Sequence, residues 1–167
     1  MHPHLQAARH LLDDVTRGVS YEQLAKPVDG KWSPAEVLEH LRLAFSNSAR
    51  GAARCVDEGQ TRARPRSLAQ RLAGFLVITL QVFPKARAPE QATPKGTPAP
   101  TIVADTLAAL DALDGALTRA AERFGERTPL MNHPYFGTLD VRTWRRFHLV
   151  HTKHHVKQIR ERLGAAG

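Results

Sequence analysis

The chain has 167 residues, which is the usual size of one domain, and we predict a single domain over residues 1–167. Its content of hydrophobic residues is typical of a globular protein, and its single cysteine, Cys55, excludes an intramolecular disulfide and a cysteine-rich zinc site. A net charge of +8 suits a nucleic-acid binder, but aromatic residues are few and no recognition module is present, so we expect a solvated basic surface and no specific nucleic-acid binding.

The N-terminal residues, Met1 to Leu5, contain no basic segment followed by a long apolar run. We therefore expect no secretory leader and a cytoplasmic protein. From His4 to Thr16, apolar residues recur at steps of three and four, which is the spacing of one helix face. Gly18 is a suitable end for this short helix.

A strong helix start follows at Ser33. Its hydroxyl can cap the helix, Pro34 is preorganised for the first helical position, and Glu36 can complete a capping box. We predict a long helix from here to about Cys55. Within it His40 lies on or near the inward face, among Val37, Leu41, Ala44 and Phe45.

The segment from Ser67 to Val82 repeats this pattern and is predicted to be a core helix, ended by Pro84. Its apolar stretch, residues 72–83, is too short to cross a bilayer as a helix, so we expect no membrane association. Residues 83–100 contain five prolines and a glycine. They are predicted to form a long ordered loop or lid, because proline is excluded from helix interiors and central strands.

The clearest amphipathic pattern runs from Ile102 to about Phe124. A turn-rich connection at residues 132–137 follows, after which Asp140 can cap a last helix that reaches about Leu163. No alternating stretch is long enough to indicate a sheet. We therefore predict an all-α fold, in which four longer helices and a short extra N-terminal helix form an antiparallel bundle with one long Pro-rich crossover loop.

The last helix carries four of the nine histidines within eight residues. At about 100° per residue, His151 and His155 share one face, and His148 lies close to His155. His154 is turned away from that face. Two imidazoles at positions i and i+4 of a rigid helix can reach one metal ion.

A third ligand is needed, and His40 is the histidine outside the last helix with a similar inward setting. Three neutral imidazoles suit Zn, Ni, Cu or Fe better than Mg or Ca. Helical histidines are also common as surface residues or hydrogen-bonded core residues, so the spacing alone leaves both interpretations open.

Two segments carry a family resemblance. Residues 31–41, Lys-Trp-Ser-Pro-Ala-Glu-Val-Leu-Glu-His-Leu, and residues 151–159, with the pattern His-x-x-x-His-x-x-Gln-Ile, resemble the two signature regions of the DinB-like superfamily. The string His-Pro-Tyr-Phe-Gly-Thr-Leu, with Trp144 and Phe147, is similar to a branch of that superfamily without an assigned activity. The likeness extends over the whole chain in order.

The resemblance implies an up-down-down-up four-helix bundle, often a homodimer. It also implies one metal ion, usually Zn or Ni, held by one histidine of the second helix and two of the last. Carried over by position, these are His40, His151 and His155. Some relatives transfer or isomerise thiol adducts with the help of low-molecular-weight thiols.

Three further residues are candidates for roles near the ion. His148 is a candidate fourth ligand or pocket residue. Gln158, one turn beyond His155, can orient a histidine or stand as a polar edge residue. Glu36 can serve as a base or simply cap its helix. The large aromatic residues Trp32, Trp144 and Phe147 are expected to fill the core.

Three functions fit this sequence. The first is a metal-dependent enzyme, of S-transferase or hydrolase type, that activates a thiol or water, because three histidines leave a coordination position open. The alternative is a non-catalytic stress protein that binds a metal or a small ligand, and a third is structural use of a dimeric bundle. No catalytic residue is identified by the sequence.

Overall fold

The computed structural model describes residues 1–83, 88–96 and 98–164. The described part is mostly helical, as predicted, with one small hairpin. The helices are α1 (Pro3–Thr16), α2 (Tyr21–Ala25), α3 (Pro34–Glu58), α4 (Leu68–Gly74), α5 (Ile102–Phe124) and α6 (Val141–Gly164), and the strands are β1 (Pro129–His133) and β2 (Gly137–Asp140). A π-helical turn, Phe75–Thr79, extends α4, and a 3-10 turn spans Glu90–Ala92.

Four long helices, α1, α3, α5 and α6, form the bundle. Helix α3 packs mainly on α5, and α1 packs mainly on α6. The longest connection lies between α3 and α5, the second and third bundle helices, which is where an up-down-down-up bundle needs its crossover. The buried centre is built from aliphatic and aromatic side chains of all four helices, among them Leu12, Leu38, Phe45, Leu113 and Ile159.

Local signals explain where the two site-bearing helices begin. Ser33 Oγ accepts the backbone N–H of Glu36, and the Glu36 carboxylate accepts the backbone N–H of Ser33 at 2.7 Å, which completes the predicted capping box. Asp140 Oδ1 accepts the backbone N–H of Thr143 at 2.7 Å and so caps the start of α6. These caps fix the first residues of the helices that carry His40 and the last-helix histidines.

The prediction of a core helix over Ser67–Val82 was wrong. The segment is helical only from Leu68 to Thr79, and most of its large apolar side chains face outward. We call this the 68–82 apolar face, and it consists of Leu68, Leu72, Phe75, Leu80 and Val82, each more than half exposed. The π-helical turn holds more residues than an α-turn, so it rotates the chain and buries Val77 and Ile78 instead.

That correction also changes the membership of the bundle. The N-terminal helix α1, predicted as the short extra element, supplies one of the four bundle helices and buries Leu5, Ala8, Leu12 and Val15. Periodicity showed that both segments had an apolar face. It could not show which of the two faces would be covered.

The turn-rich connection at residues 132–137 belongs to a β-hairpin that the sequence did not predict. Strands β1 and β2 pair antiparallel, with Met131 opposite Leu139 and His133 opposite Gly137. Gly137 has φ +67°, and a Cβ there would lie 2.7 Å from Gln70 Oε1, so both the conformation and the space require glycine. The backbone of Arg62 joins this hairpin by donating to Leu130 O at 2.8 Å.

The Pro-rich segment is tied to the bundle at several points. Asn47 Nδ2 donates to Gln91 O at 2.9 Å, and Tyr21 Oη donates to Pro98 O at 2.5 Å. In the described parts of this segment the 3-10 turn is the one helical piece, as expected for a loop. Pro84, predicted to end the preceding helix, lies outside the described residues. Within the described chain, none of the helices has the length and apolarity that a transmembrane span requires.

Candidate metal centre

His40 lies on the second turn of α3 and is 4% exposed. Its Nδ1 donates a hydrogen bond of 2.6 Å to the backbone carbonyl of Ala92, in the 3-10 turn of the long loop. Its ring packs beside Trp32, with ring centres 5.3 Å apart. Since Nδ1 carries the proton, Nε2 of a neutral His40 presents a lone pair to the bundle interior.

His151 and His155 face His40 from α6, one turn apart. Nε2 of His155 lies 3.0 Å from Nε2 of His151, and Nε2 of His40 lies 3.1 Å from the same atom. His155 Nδ1 donates to Gln158 Oε1 at 2.9 Å, so Nε2 of His155 is also a lone pair. Three ring nitrogens from two helices therefore meet at one point, within 4.8 Å of one another.

Hydrogen bonding among the rings does not account for this meeting. His40 and His155 both direct lone pairs at His151 Nε2, and that atom has one hydrogen at most. His151 Nε2 can therefore donate to one of these lone pairs, and the other lone pair is left without a donor. A cation between the three nitrogens resolves the conflict. In a tetrahedral zinc site with N–Zn bonds of about 2.0–2.1 Å, ligand nitrogens lie about 3.3 Å apart. This is close to the 3.1 and 3.0 Å that separate His151 Nε2 from the other two nitrogens.

The comparison with known proteins gives the family of the chain. Residues 4–159, nearly its whole length, match the DinB superfamily. The chain belongs to this superfamily. Neither a curated protein nor a solved structure gives a significant match. Membership agrees with the helical bundle, and because DinB-like proteins bind metals, the group of His40, His151 and His155 is one that can hold an ion.

The protonation state of this DinB site suits metal binding. Burial lowers the pKa of His40, and it lowers the pKa values of His151 and His155 well below the ordinary histidine value, with the neighbouring histidines adding to the effect. All three imidazoles are therefore neutral near pH 7. Neutral imidazole is the form that donates a lone pair to a metal.

The other predicted site residues occupy distinct places. Gln158 lies between two histidines: its Oε1 accepts from His155, and its Nε2 donates to His154 Nε2 at 3.0 Å. His154 stands outside the three-nitrogen group and stacks on Phe83, with ring centres 4.2 Å apart. The Glu36 carboxylate is engaged in the cap of α3, and this residue is absent from the described lining of the cavity beside the histidines.

His148 is fully buried one turn before His151 and is not a member of the three-nitrogen group. Burial lowers its pKa to about 3, so it is neutral. Among the described residues neither ring nitrogen has a hydrogen-bond partner. Its ring is enclosed by Phe45, Trp144 and Phe147, so it borders the cavity as a neutral polar group in an aromatic wall.

The three histidines form part of the wall of a cavity of about 1590 Å³. One wall is aromatic and includes Trp32, Trp144 and Phe147, which were expected only to fill the core. The described lining contains five arginines and two acidic residues, namely Arg50, Arg54, Arg62, Arg64, Arg162, Asp57 and Glu58. The cavity is thus wide enough for a small molecule and carries a positive balance of charge.

Two contributors to the site were missed by sequence reasoning. The Ala92 carbonyl orients His40, but a backbone acceptor leaves no mark in the sequence. His133, placed in a turn by the sequence, stacks on Phe136 and meets Phe147 edge to face at the cavity wall. Burial lowers its pKa to about 3. Its Nδ1 accepts the backbone N–H of Tyr135, which leaves the proton of the neutral ring on Nε2.

Proposed function

We propose that the protein binds one divalent transition metal ion, zinc or nickel, through His40, His151 and His155, and acts on a small molecule in the adjoining cavity. The observation that carries the proposal is the convergence of three neutral ring nitrogens, two with their lone pairs fixed toward the centre. Imidazole is a preferred ligand of both metals, whereas Mg and Ca prefer oxygen.

The reaction that this arrangement favours is activation of a thiol or water, in an S-transferase or hydrolase type of chemistry. Three protein ligands leave a coordination position for a further group, and the cavity gives it access. When bound, the ion lowers the pKa of a coordinated water or thiol. The residues of the chain then hold the ligand: the aromatic wall excludes water, and the arginines attract negative charge.

Metal content decides the first part of the proposal. Untagged protein is purified without added metal, and its metal is measured by mass spectrometry before and after incubation with Zn or Ni. We expect one ion per chain, and a loss of affinity of about a hundredfold or more for His40→Ala, His151→Ala or His155→Ala, since one of three ligands is removed. His154→Ala is the matched control and should retain the ion. Binding that survives His40→Ala but not His154→Ala would place the metal elsewhere.

A second function, metal or ligand binding without catalysis, is favoured by one observation. In the described part of the chain, the hydrogen-bond and ring-contact partners of the three rings outside their own group are Trp32, Ala92, Phe147, His154 and Gln158. None of these is a carboxylate that could serve as a proton acceptor. Turnover separates the two functions. Metal-loaded protein is assayed with a thiol and chlorodinitrobenzene, and with nitrophenyl acetate. Rates that vanish in His155→Ala support an enzyme, and rates equal to buffer in both assays support a binding protein.

We also propose that the protein is a homodimer in solution and that the 68–82 apolar face is its contact. Scattered exposed hydrophobic residues are ordinary on a monomer, but five large ones within one segment of 15 residues are not. In a two-fold dimer the same face serves both partners, so an apolar face packs on its own copy.

A further inference from the structure

One end of the cavity is formed by the last turn of α6, where Arg162 lines the wall together with Gln158 and His155. Arg162 lies seven residues after His155, which is two helical turns, and on nearly the same side of the helix. The rise over this interval is about 10 Å. Arg162 also borders a smaller recess with Gly30, Lys31 and Trp32, so it stands where the cavity meets a basic edge.

The side chain of Arg162 is half-buried, and one of its guanidinium nitrogens has no partner in the described part of the chain. Its Nη1 is fully buried without a hydrogen bond, and no ion pair reaches it. Burial lowers its pKa, yet guanidinium remains charged at neutral pH. A buried charged donor without an acceptor is unfavourable unless something else supplies the acceptor.

Arg145 also has one buried nitrogen without a partner, its Nε, but its charge is compensated by a carboxylate. Arg145, 3% exposed, is paired with the Glu126 carboxylate and also donates to Thr118 Oγ1 at 3.2 Å. The acidic residue that could do the same for Arg162 from α3 is Glu36, and its carboxylate is held by the Ser33 backbone. The neighbouring Glu161 is exposed on the outer side of α6, so in the described lining of the cavity Arg162 is the charged side chain of α6. An anionic group of a ligand can supply the acceptor that Nη1 lacks.

We propose that the ligand of this cavity carries a carboxylate that binds Arg162, joined by an apolar chain to a donor group that reaches the three histidines. The planar guanidinium matches a carboxylate through two parallel N–H···O bonds, and the aromatic wall accommodates the chain. This inference rests on the proposed metal site for the position of the donor group, but the role of Arg162 can be tested without the metal.

The experiment compares two thiols of equal length that differ in charge, mercaptohexanoate and mercaptohexanol. Both are titrated into cobalt-loaded protein, and the thiolate-to-cobalt absorption band reports binding. We expect wild type to bind the carboxylate tighter by about tenfold to a hundredfold, the usual worth of hydrogen bonds to a charged group. Arg162→Gln should abolish this preference, and Arg162→Lys should keep part of it. Arg160→Gln, an exposed neighbour with the same loss of charge, should leave it unchanged.

Three results would overturn the inference: equal binding of the two thiols by wild type, a preference that persists in Arg162→Gln, or an equal loss in Arg160→Gln, which would indicate the general charge of the protein. If the protein takes up no cobalt, the proposed function fails, and calorimetry on metal-free protein with hexanoate and hexanol decides the role of Arg162 alone. In that experiment, a preference for hexanoate that Arg162→Gln removes supports the role of Arg162, and equal binding of hexanoate and hexanol refutes it.

Discussion

Replacing Gln158 by leucine tests whether the hydrogen bond behind a histidine controls the metal site. Gln158 Oε1 accepts the Nδ1 proton of His155 at 2.9 Å and so keeps the lone pair of Nε2 directed at the centre. Leucine has nearly the same volume but no acceptor. Without the bond, His155 can take the other tautomer or rotate, and either change withdraws the ligand atom.

Mutation of a residue that hydrogen-bonds to a metal-bound histidine lowers metal affinity about tenfold to a hundredfold, which corresponds to about 1.4–2.7 kcal/mol. We expect Gln158→Leu to weaken zinc binding by this amount, measured by competition with a chromophoric chelator. Gln158→Glu should bind zinc at least as tightly as wild type, because a carboxylate is the stronger acceptor. His154→Ala is the control, since it removes the other partner of Gln158 and leaves the bond to His155 intact.

An affinity in Gln158→Leu equal to that of wild type would refute this reasoning. So would an equal loss in His154→Ala, because the effect would then come from the general packing of this turn and not from the tautomer of His155.

Three further predictions concern acid stability, the loop and assembly. Burial in the folded chain lowers the pKa of His148 from 6.5 to about 3. The unfolded chain therefore takes up a proton below pH 6.5 that the folded chain does not, and the free energy of unfolding decreases as the pH drops from 6.5 toward 3. Between pH 6.5 and 5, the free energy of unfolding of metal-free His148→Phe, measured with urea, should therefore decrease by about 2 kcal/mol less than that of wild type. Equal decreases would contradict this prediction. Zinc should slow amide exchange in the Glu90–Ala92 turn, since the Ala92 carbonyl holds His40, and unchanged exchange would argue against that link. Leu72→Asp should convert a dimer to a monomer in light scattering, and a dimer that persists would exclude the 68–82 apolar face.

The parts of the fold that the sequence predicted are those with local causes. The helix starts at Ser33 and Asp140 depend on side-chain oxygens that cap nearby N–H groups, and both lie where they were predicted. The i, i+4 spacing places the rings of His151 and His155 together because a helix is rigid. Their meeting with His40 was predicted by combining an inward helix face with a family resemblance, and the structure brings the three nitrogens together. Their binding of a metal stays a prediction.

The hairpin was missed for a physical reason. A half-buried strand is recognised by alternation of apolar and polar residues. In β2, Gly137, Thr138 and Leu139 are all buried, and in β1 a bulge after Pro129 places Leu130 and Met131 both inside. Strands this short that are covered on both faces have the same local pattern as a turn-rich connection.

The orientation of the three histidine rings could be predicted from the sequence only in part. The support of His155 was predictable, because Gln158 lies one turn away on the same helix. The support of His40 comes from a backbone carbonyl 52 residues along the chain, and any residue type at position 92 would offer the same atom. No hydrogen bond orients the outer nitrogen of His151, because its Nδ1 has no partner among the described residues. Its ring instead stacks on Phe147, with ring centres 5.2 Å apart. The three candidate ligands can therefore be chosen from the sequence, whereas the orientations of His40 and His151 depend on packing that only the folded chain creates.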